Sequence, residues 1–187
     1  MTTLYENMLF NNHNSKFNEV GEKSNIANHR ALSTSAIFFD SDKDGWLDLY
    51  VGNYTEWSPD TDVWCTFQGK KGYCTPEVYD GVPSRFYRNN RDGTFTDQTL
   101  VAGFSSAPGK TLGVSELDFN KDGFPDLAVA NDLARDLLYE NNKELSMAFL
   151  FQLVNIQIFP KDRLDILIQF WDFAKKNNLE EIKNVLG

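Results

Sequence analysis

Through its first three quarters the chain alternates apolar and polar residues in short runs. "TSAIFF" (34–39), "LDLYVGN" (47–53), "SRFYRN" (84–89) and "TFTDQT" (94–99) each read with period two. That period predicts half-buried strands, because successive side chains point to opposite faces of a sheet. Between the runs lie "DKDG" (42–45) and "RNNRDG" (88–93). Glycine accepts positive φ, so both predict tight connections. Four short antiparallel strands per unit are expected. The pattern changes near the end. "RLDILIQFWDFAKKNNLEEIKNVL" (163–186) places Leu164, Leu167, Trp171 and Ala174 at helical spacing, which predicts a helix over about 162–186.

The pattern also repeats. "MLFNNHNSKF" (8–17) returns as "FYRNNRDGTF" (86–95), and "FFDSDKDGWLDLYVGN" (38–53) as "ELDFNKDGFPDLAVAN" (116–131), both at an offset of 78 residues. "LYENN" (138–142) then repeats "FYRNN" (86–90) at an offset of only 52. The first copy therefore carries 26 extra residues, and they fall between Tyr54 and Ser84. That segment holds both cysteines and three of the six prolines and lacks strand-like alternation. It reads as an inserted loop over about 55–84. A unit of about 52 residues with several short strands suggests a propeller blade. The expected organisation is a repeat region over 1–143, with units at about 8–85 and 86–137, a third beginning near 138, and a helical tail over 144–187.

Composition adds three constraints. The net charge is −9, which argues against a nucleic-acid partner because phosphate binding wants a basic face. Cys65 and Cys74 are spaced too widely for a CxxC redox or zinc pair, and no second pair exists. They are either two unrelated thiols or a loop-closing disulfide of an oxidising compartment. No membrane span is expected, since the longest apolar-rich run (145–159) is interrupted by Gln152, Asn155 and Gln157 and falls short of about 20 residues. The N-terminal "MTTLYENMLFNN" does not read as a signal peptide.

The acid excess concentrates in two matching loops. One is Asp40-Ser-Asp42-Lys-Asp44-Gly45-Trp46-Leu-Asp48 and the other Asp118-Phe-Asn120-Lys-Asp122-Gly123-Phe124-Pro-Asp126. Oxygen side chains stand at positions 1, 3, 5 and 9, with Gly at 6. Ca²⁺ takes six to eight oxygens, and residues 1, 3 and 5 of a tight loop can converge on one centre with the carbonyl of position 7. Mg²⁺ fits less well because it demands near-ideal octahedral geometry. An EF-hand is excluded because position 12 is Val51 or Val129 rather than Glu, and a strand pattern follows the loop. A solvated acidic turn is the plain alternative, made weaker by the repetition.

These loops, with "FYRNNRDGTFTDQTLVAGF", resemble the FG-GAP/VCBS repeats of integrin-α-like β-propellers. The stretch "CTFQGKKGYCTPEVYDGVPSRFYRNNRDGTFTDQT" more narrowly resembles the bacterial ASPIC/UnbV group, relatives of cartilage acidic protein. The resemblance covers residues 8 to about 142. It implies an all-β propeller of about seven blades, of which about two lie here, so the chain is expected to be a fragment whose remaining blades are its first partners. It implies an extracellular, cell-surface or periplasmic address and a protein or carbohydrate ligand. It also implies two Ca²⁺ sites: Asp40, Asp42, Asp44, the Trp46 carbonyl and Asp48; and Asp118, Asn120, Asp122, the Phe124 carbonyl and Asp126.

Catalytic readings are thinner. "GFSSAPGKT" (103–111) has five residues between its glycines where a phosphate loop needs four. His13 and His29 have no nucleophile or carboxylate at telling spacing. The expected role is a binding, adhesion or scaffold module, not an enzyme. The alternative is a secreted propeller enzyme whose active site lies in other blades. Asn53-Tyr54-Thr55 fits a glycosylation sequon.

Overall fold

The alternating runs form two four-stranded antiparallel meanders. The computed structural model describes residues 1–27, 29–104, 108–143 and 147–153. They belong to a compact unit spanning Met1–Asn155. The second unit, Ile156–Gly187, lies outside the described residues, and with it the helix expected over 162–186. Among the described residues no helix is long and apolar enough to cross a membrane.

The first elements are a hairpin of β1 (Phe10–His13) and β2 (Lys16–Glu19). The first meander follows with β3 (Leu32–Phe39) and β4 (Asp48–Thr55). The insert then leaves the sheet and builds its own hairpin, β5 (Cys65–Phe67) and β6 (Lys70–Gly72), followed by a 3-10 turn at Pro76–Val78. The sheet resumes with β7 (Arg85–Asn89) and β8 (Phe95–Asp97), giving the order β3-β4-β7-β8. The second meander contains β9 (Thr111–Leu117), β10 (Asp126–Asn131), β11 (Asp136–Asn141) and β12 (Met147–Leu153), again in sequence order. These are two blades of a partial propeller.

Two boundaries differ from the expectation. The segment beginning at 144 was expected to open a helical tail, but Met147–Leu153 pairs with β11 from Asp136↔Leu153 to Asn141↔Met147. A short run that is apolar at every position but Gln152 cannot be assigned to helix or strand by periodicity. The unpaired edge of β11 decides it, because its amide and carbonyl groups need partners. The repeat is also out of phase with the blade. The unit 8–85 contains β1-β2, which correspond to β7-β8, followed by the first two strands of the next sheet.

Strand β4 is buried on both faces and organises the core. Leu49 and Val51 face a cluster with Ile26, Tyr87 and Phe95. Tyr50 faces the opposite way, into a cluster that joins the blades: Phe39 and Phe86 from the first, Leu127, Val129, Leu137 and Tyr139 from the second. Phe104, from the connection between β8 and β9, is fully buried there. Its ring lies 5.2 Å from Tyr50, 5.4 Å from Phe86 and 4.6 Å from Tyr139, centroid to centroid.

Matching asparagines stand at or near the end of the second strand of each blade. Asn53 Nδ2 donates to Pro83 O at 2.9 Å, and its Oδ1 accepts from Ser33 Oγ at 2.8 Å. Asn131 Nδ2 donates to Arg135 O at 2.7 Å, and its Oδ1 accepts from Thr111 Oγ1 at 3.0 Å. Asn53 is 0% exposed, so the sequon is closed to a glycan in the folded protein. The blades meet so closely that a Cβ on Gly52 would lie 2.4 Å from Thr111 Cγ2.

The insert contains a Cys65–Cys74 disulfide across the mouth of the β5-β6 hairpin. The unrelated-thiol alternative is thereby set aside. Closing a loop of this size stabilises it by roughly 2.5–3 kcal/mol in the chain-entropy model. The effect is expected to be local, because the hairpin is exposed. Reduction should therefore speed protease cleavage within 57–80 while leaving the blades' melting temperature nearly unchanged. Peptide mapping with and without reductant checks both.

Candidate metal centres at the two acidic turns

The two acidic loops connect matching strands, β3 to β4 and β9 to β10, and fold with the same hydrogen bonds. Lys43 and Gly45 take positive φ, and so do Lys121 and Gly123. In the first turn Asp40 accepts the amides of Asp44 (3.0 Å) and Gly45 (2.9 Å). In the second Asp118 accepts those of Asp122 (3.1 Å) and Gly123 (2.9 Å). Asp42 and Asn120 each accept the amide at position 5, at 3.3 and 2.9 Å. Asp44 and Asp122 each accept the amide at position 7, from Trp46 and Phe124, both at 2.8 Å. Side chains thus fold the backbone inward, which alternation alone would not require.

Asp40, Asp42 and Asp44 bring ligand oxygens within 4.8 Å of one another. This hard-oxygen donor set suits Ca²⁺. Asp48 is not in that group. It is buried, with Oδ1 accepting the Asn89 amide at 2.8 Å and Oδ2 accepting from Ser41 Oγ and from Arg88 Nη1 at 3.1 Å. Asp126 occupies the same place in the second blade, accepting the amides of Asn141 (2.8 Å) and Phe119 (3.0 Å). Position 9 therefore ties each turn to the third strand of its blade.

The electrostatics separate these roles. Burial raises the Asp48 carboxyl above the usual carboxylate range, against the pull of the Asn89 amide, Ser41 and Arg88. Burial likewise raises Asp126. Asp44 is lowered, first by its hydrogen bond from Arg91 and then by the Trp46 amide. The Phe124 amide lowers Asp122, with help from Lys143.

Basic residues are the part of the site that sequence reading passed over. Arg88 on β7 donates through Nη2 to Asp42 and to Asp44 Oδ2 (3.1 Å), and through Nη1 to Asp48 and Ser41. Arg91 adds Nε to Asp44 Oδ2 at 3.2 Å. Both belong to "RNNRDG", where the turn signal drew attention away from the charges. The side chain of Lys43 crosses to the second turn, with Nζ 5.0 Å from the centre of the Phe124 ring.

Residues 60–129 match the family model of the FG-GAP-like repeat. The match takes in the second acidic turn and most of the first blade after the insert begins. The chain therefore carries an FG-GAP-like repeat, and the equivalent first turn lies upstream of the matched residues. No curated protein matches the chain significantly. Elsewhere, the Lys110 ammonium of "GFSSAPGKT" donates to Pro76 O at 2.6 Å, a bond that joins the connection to the insert. His13 is exposed on the β1-β2 hairpin, and His29 Nδ1 lies 3.1 Å from Arg85 Nη2.

Proposed function

We propose that this chain is a calcium-binding piece of an FG-GAP β-propeller, related to the ASPIC/UnbV group, that serves as an extracellular or periplasmic binding or scaffold module rather than as a catalyst. The observation that carries the reading is the twin turn. Two loops at the same place in successive blades share one hydrogen-bond pattern, and in the first of them Asp40, Asp42 and Asp44 bring acidic oxygens within 4.8 Å of one another. Asp40, Asp42 and Asp44, with the Trp46 carbonyl, would hold one ion. Asp118, Asn120 and Asp122, with the Phe124 carbonyl, would hold the other. Asp48 and Asp126 would support them from below. A divalent ion supplies neutralising charge and ties two strands together.

A disulfide accords with an oxidising compartment. For the partner we propose a protein or carbohydrate. The insert supports this by exposing Trp64, Phe67 and Tyr73. At its base a cleft of about 620 Å³ is lined by Trp57, Asp62, Lys71, Tyr73 and Tyr79. There Asp62 accepts from the Trp57 indole (3.1 Å) and the Tyr79 hydroxyl (2.9 Å). Rings with a fixed polar group beside them serve both partner classes.

Thermal melts in calcium and in chelator test the metal. Each filled site is expected to add about 2.7 kcal/mol at one hundred times Kd, or roughly 5–11 °C for a domain of this size. Equal melting temperatures, with no heat of calcium binding, would reduce both loops to acidic turns.

A further inference from the structure

We infer that Arg88 is a built-in counter-cation of the first turn, so that the two turns take calcium unequally and the second fills first. The inference rests on the calcium reading above and assigns an order within it.

The blades carry different residues at the same places. Across the 52-residue offset, Arg88 corresponds to Glu140 and Arg91 to Lys143. The register agrees: Arg88 pairs with Thr96 on β8, and Glu140 with Ala148 on β12. The turns are alike in backbone but face opposite charges from the third strand.

In the first turn the cation's place is already contested. The Arg88 side chain is only 13% exposed and reaches Asp42, Asp44 and Asp48 together. Its Nη2 donates to Asp42 and Asp44 and its Nη1 to Asp48. It stays protonated at any working pH. An arriving Ca²⁺ must take Asp42 and Asp44 from it. The guanidinium then remains beside a divalent ion in a half-buried site, where like charges repel strongly.

The second turn offers the reverse. Glu140 accepts from Asn120 Nδ2 at 2.8 Å, so a carboxylate stands beside the position where Asn replaced Asp. Additional carboxylates raise calcium affinity. Two cations stand at this turn among the described residues: Lys43, itself exposed, whose Nζ lies 5.0 Å from the Phe124 ring centre, and Lys143, whose Nζ lies 3.2 Å from Asp122 Oδ2 and 5.1 Å from that centre. The Lys143 side chain is 48% exposed. It can swing into water at little cost.

Calorimetric titration of the full 187-residue chain, stripped with chelator, tests the order. The wild-type protein is expected to bind in two steps separated by on the order of tenfold or more in Kd. Asp44→Asn should remove the weak step and spare the tight one; Asp122→Asn should do the opposite. Arg88→Gln should tighten the weak step by about tenfold and leave the tight step in place, while Arg88→Lys should fall between. Arg88→Gln should also melt lower in chelator and gain a larger calcium-induced shift than wild type. A purely structural Arg88 would lower both melts equally. Two equal steps, loss of the tight step in Asp44→Asn, or steps indifferent to Arg88 substitution would overturn the inference while leaving calcium binding intact. Absence of binding in every variant would instead overturn the calcium reading on which it rests.

Discussion

Phe104→Ala is expected to destabilise the two-blade unit by about 3–5 kcal/mol, the range for deleting a fully buried aromatic ring. The ring lies between the blades, against Tyr50 and Phe86 of the first and Tyr139 of the second. Its loss leaves a cavity lined by side chains that are themselves fixed by strand pairing, so the gap cannot collapse freely. The interface should fail before the sheets do. In a repeat protein each unit buries its face against its neighbours, and stability is divided between unit and interface terms. Hydrogen exchange should therefore accelerate first at Leu127, Val129 and Leu137, whose side chains join the Phe104 cluster. Leu49, Val51 and Tyr87 should respond less, because they belong to the separate cluster with Ile26 and Phe95. Uniform acceleration of both clusters would mean that the blades unfold as one piece.

The sheets were legible because their signal is local. The short β-prone runs "LDLYVGN" and "SRFYRN" read as strands, although β4 is buried on both faces rather than one, and glycines after acidic or polar residues mark where the strands turn. The repeat located the insert through a mismatch of offsets, with no knowledge of structure. What escaped had non-local causes. β12 was hidden because a septet apolar at every position but Gln152 has no clear period, and only the open edge of β11 selects a strand. The burial of Asn53 was not legible, because nothing in Asn-Tyr-Thr reveals that Ser33 and Pro83 surround it. The acidic turns were found from their spacing, yet their counter-charges were not. Arg88 lies 40 residues from Asp48, and the pairing of β4 with β7 across the insert brings them together. The division of labour among the acids is likewise invisible in spacing. Asp48 and Asp44 look equivalent along the chain, but one is buried in the sheet and the other lies at its edge, held by Arg88 and Arg91.

That division yields the second large effect. Asp126→Ala is expected to cost about 2–5 kcal/mol even in chelator, because it removes the acceptor of one buried and one part-buried amide at roughly 1–3 kcal/mol each. Those amides belong to Asn141 and Phe119. Asn141 is also the residue whose Nδ2 reaches across to the Ser41 carbonyl of the first turn, so loosening its anchor should disturb both turns. Asp126→Asn keeps one acceptor but turns an NH₂ toward the other amide, and about 1–3 kcal/mol is expected. Asp122→Ala makes the contrast. Its carboxylate is only part-buried, pairs with Lys143 at 3.2 Å and accepts one backbone amide, from Phe124. Its loss should hardly move the melting temperature in chelator and should abolish the calcium-dependent increase at that turn. Denaturant unfolding of the three variants, with and without calcium, separates the roles. If Asp126→Ala and Asp122→Ala were equally mild in chelator and equally defective in calcium, position 9 would be an ordinary ligand rather than the post on which the turn is built.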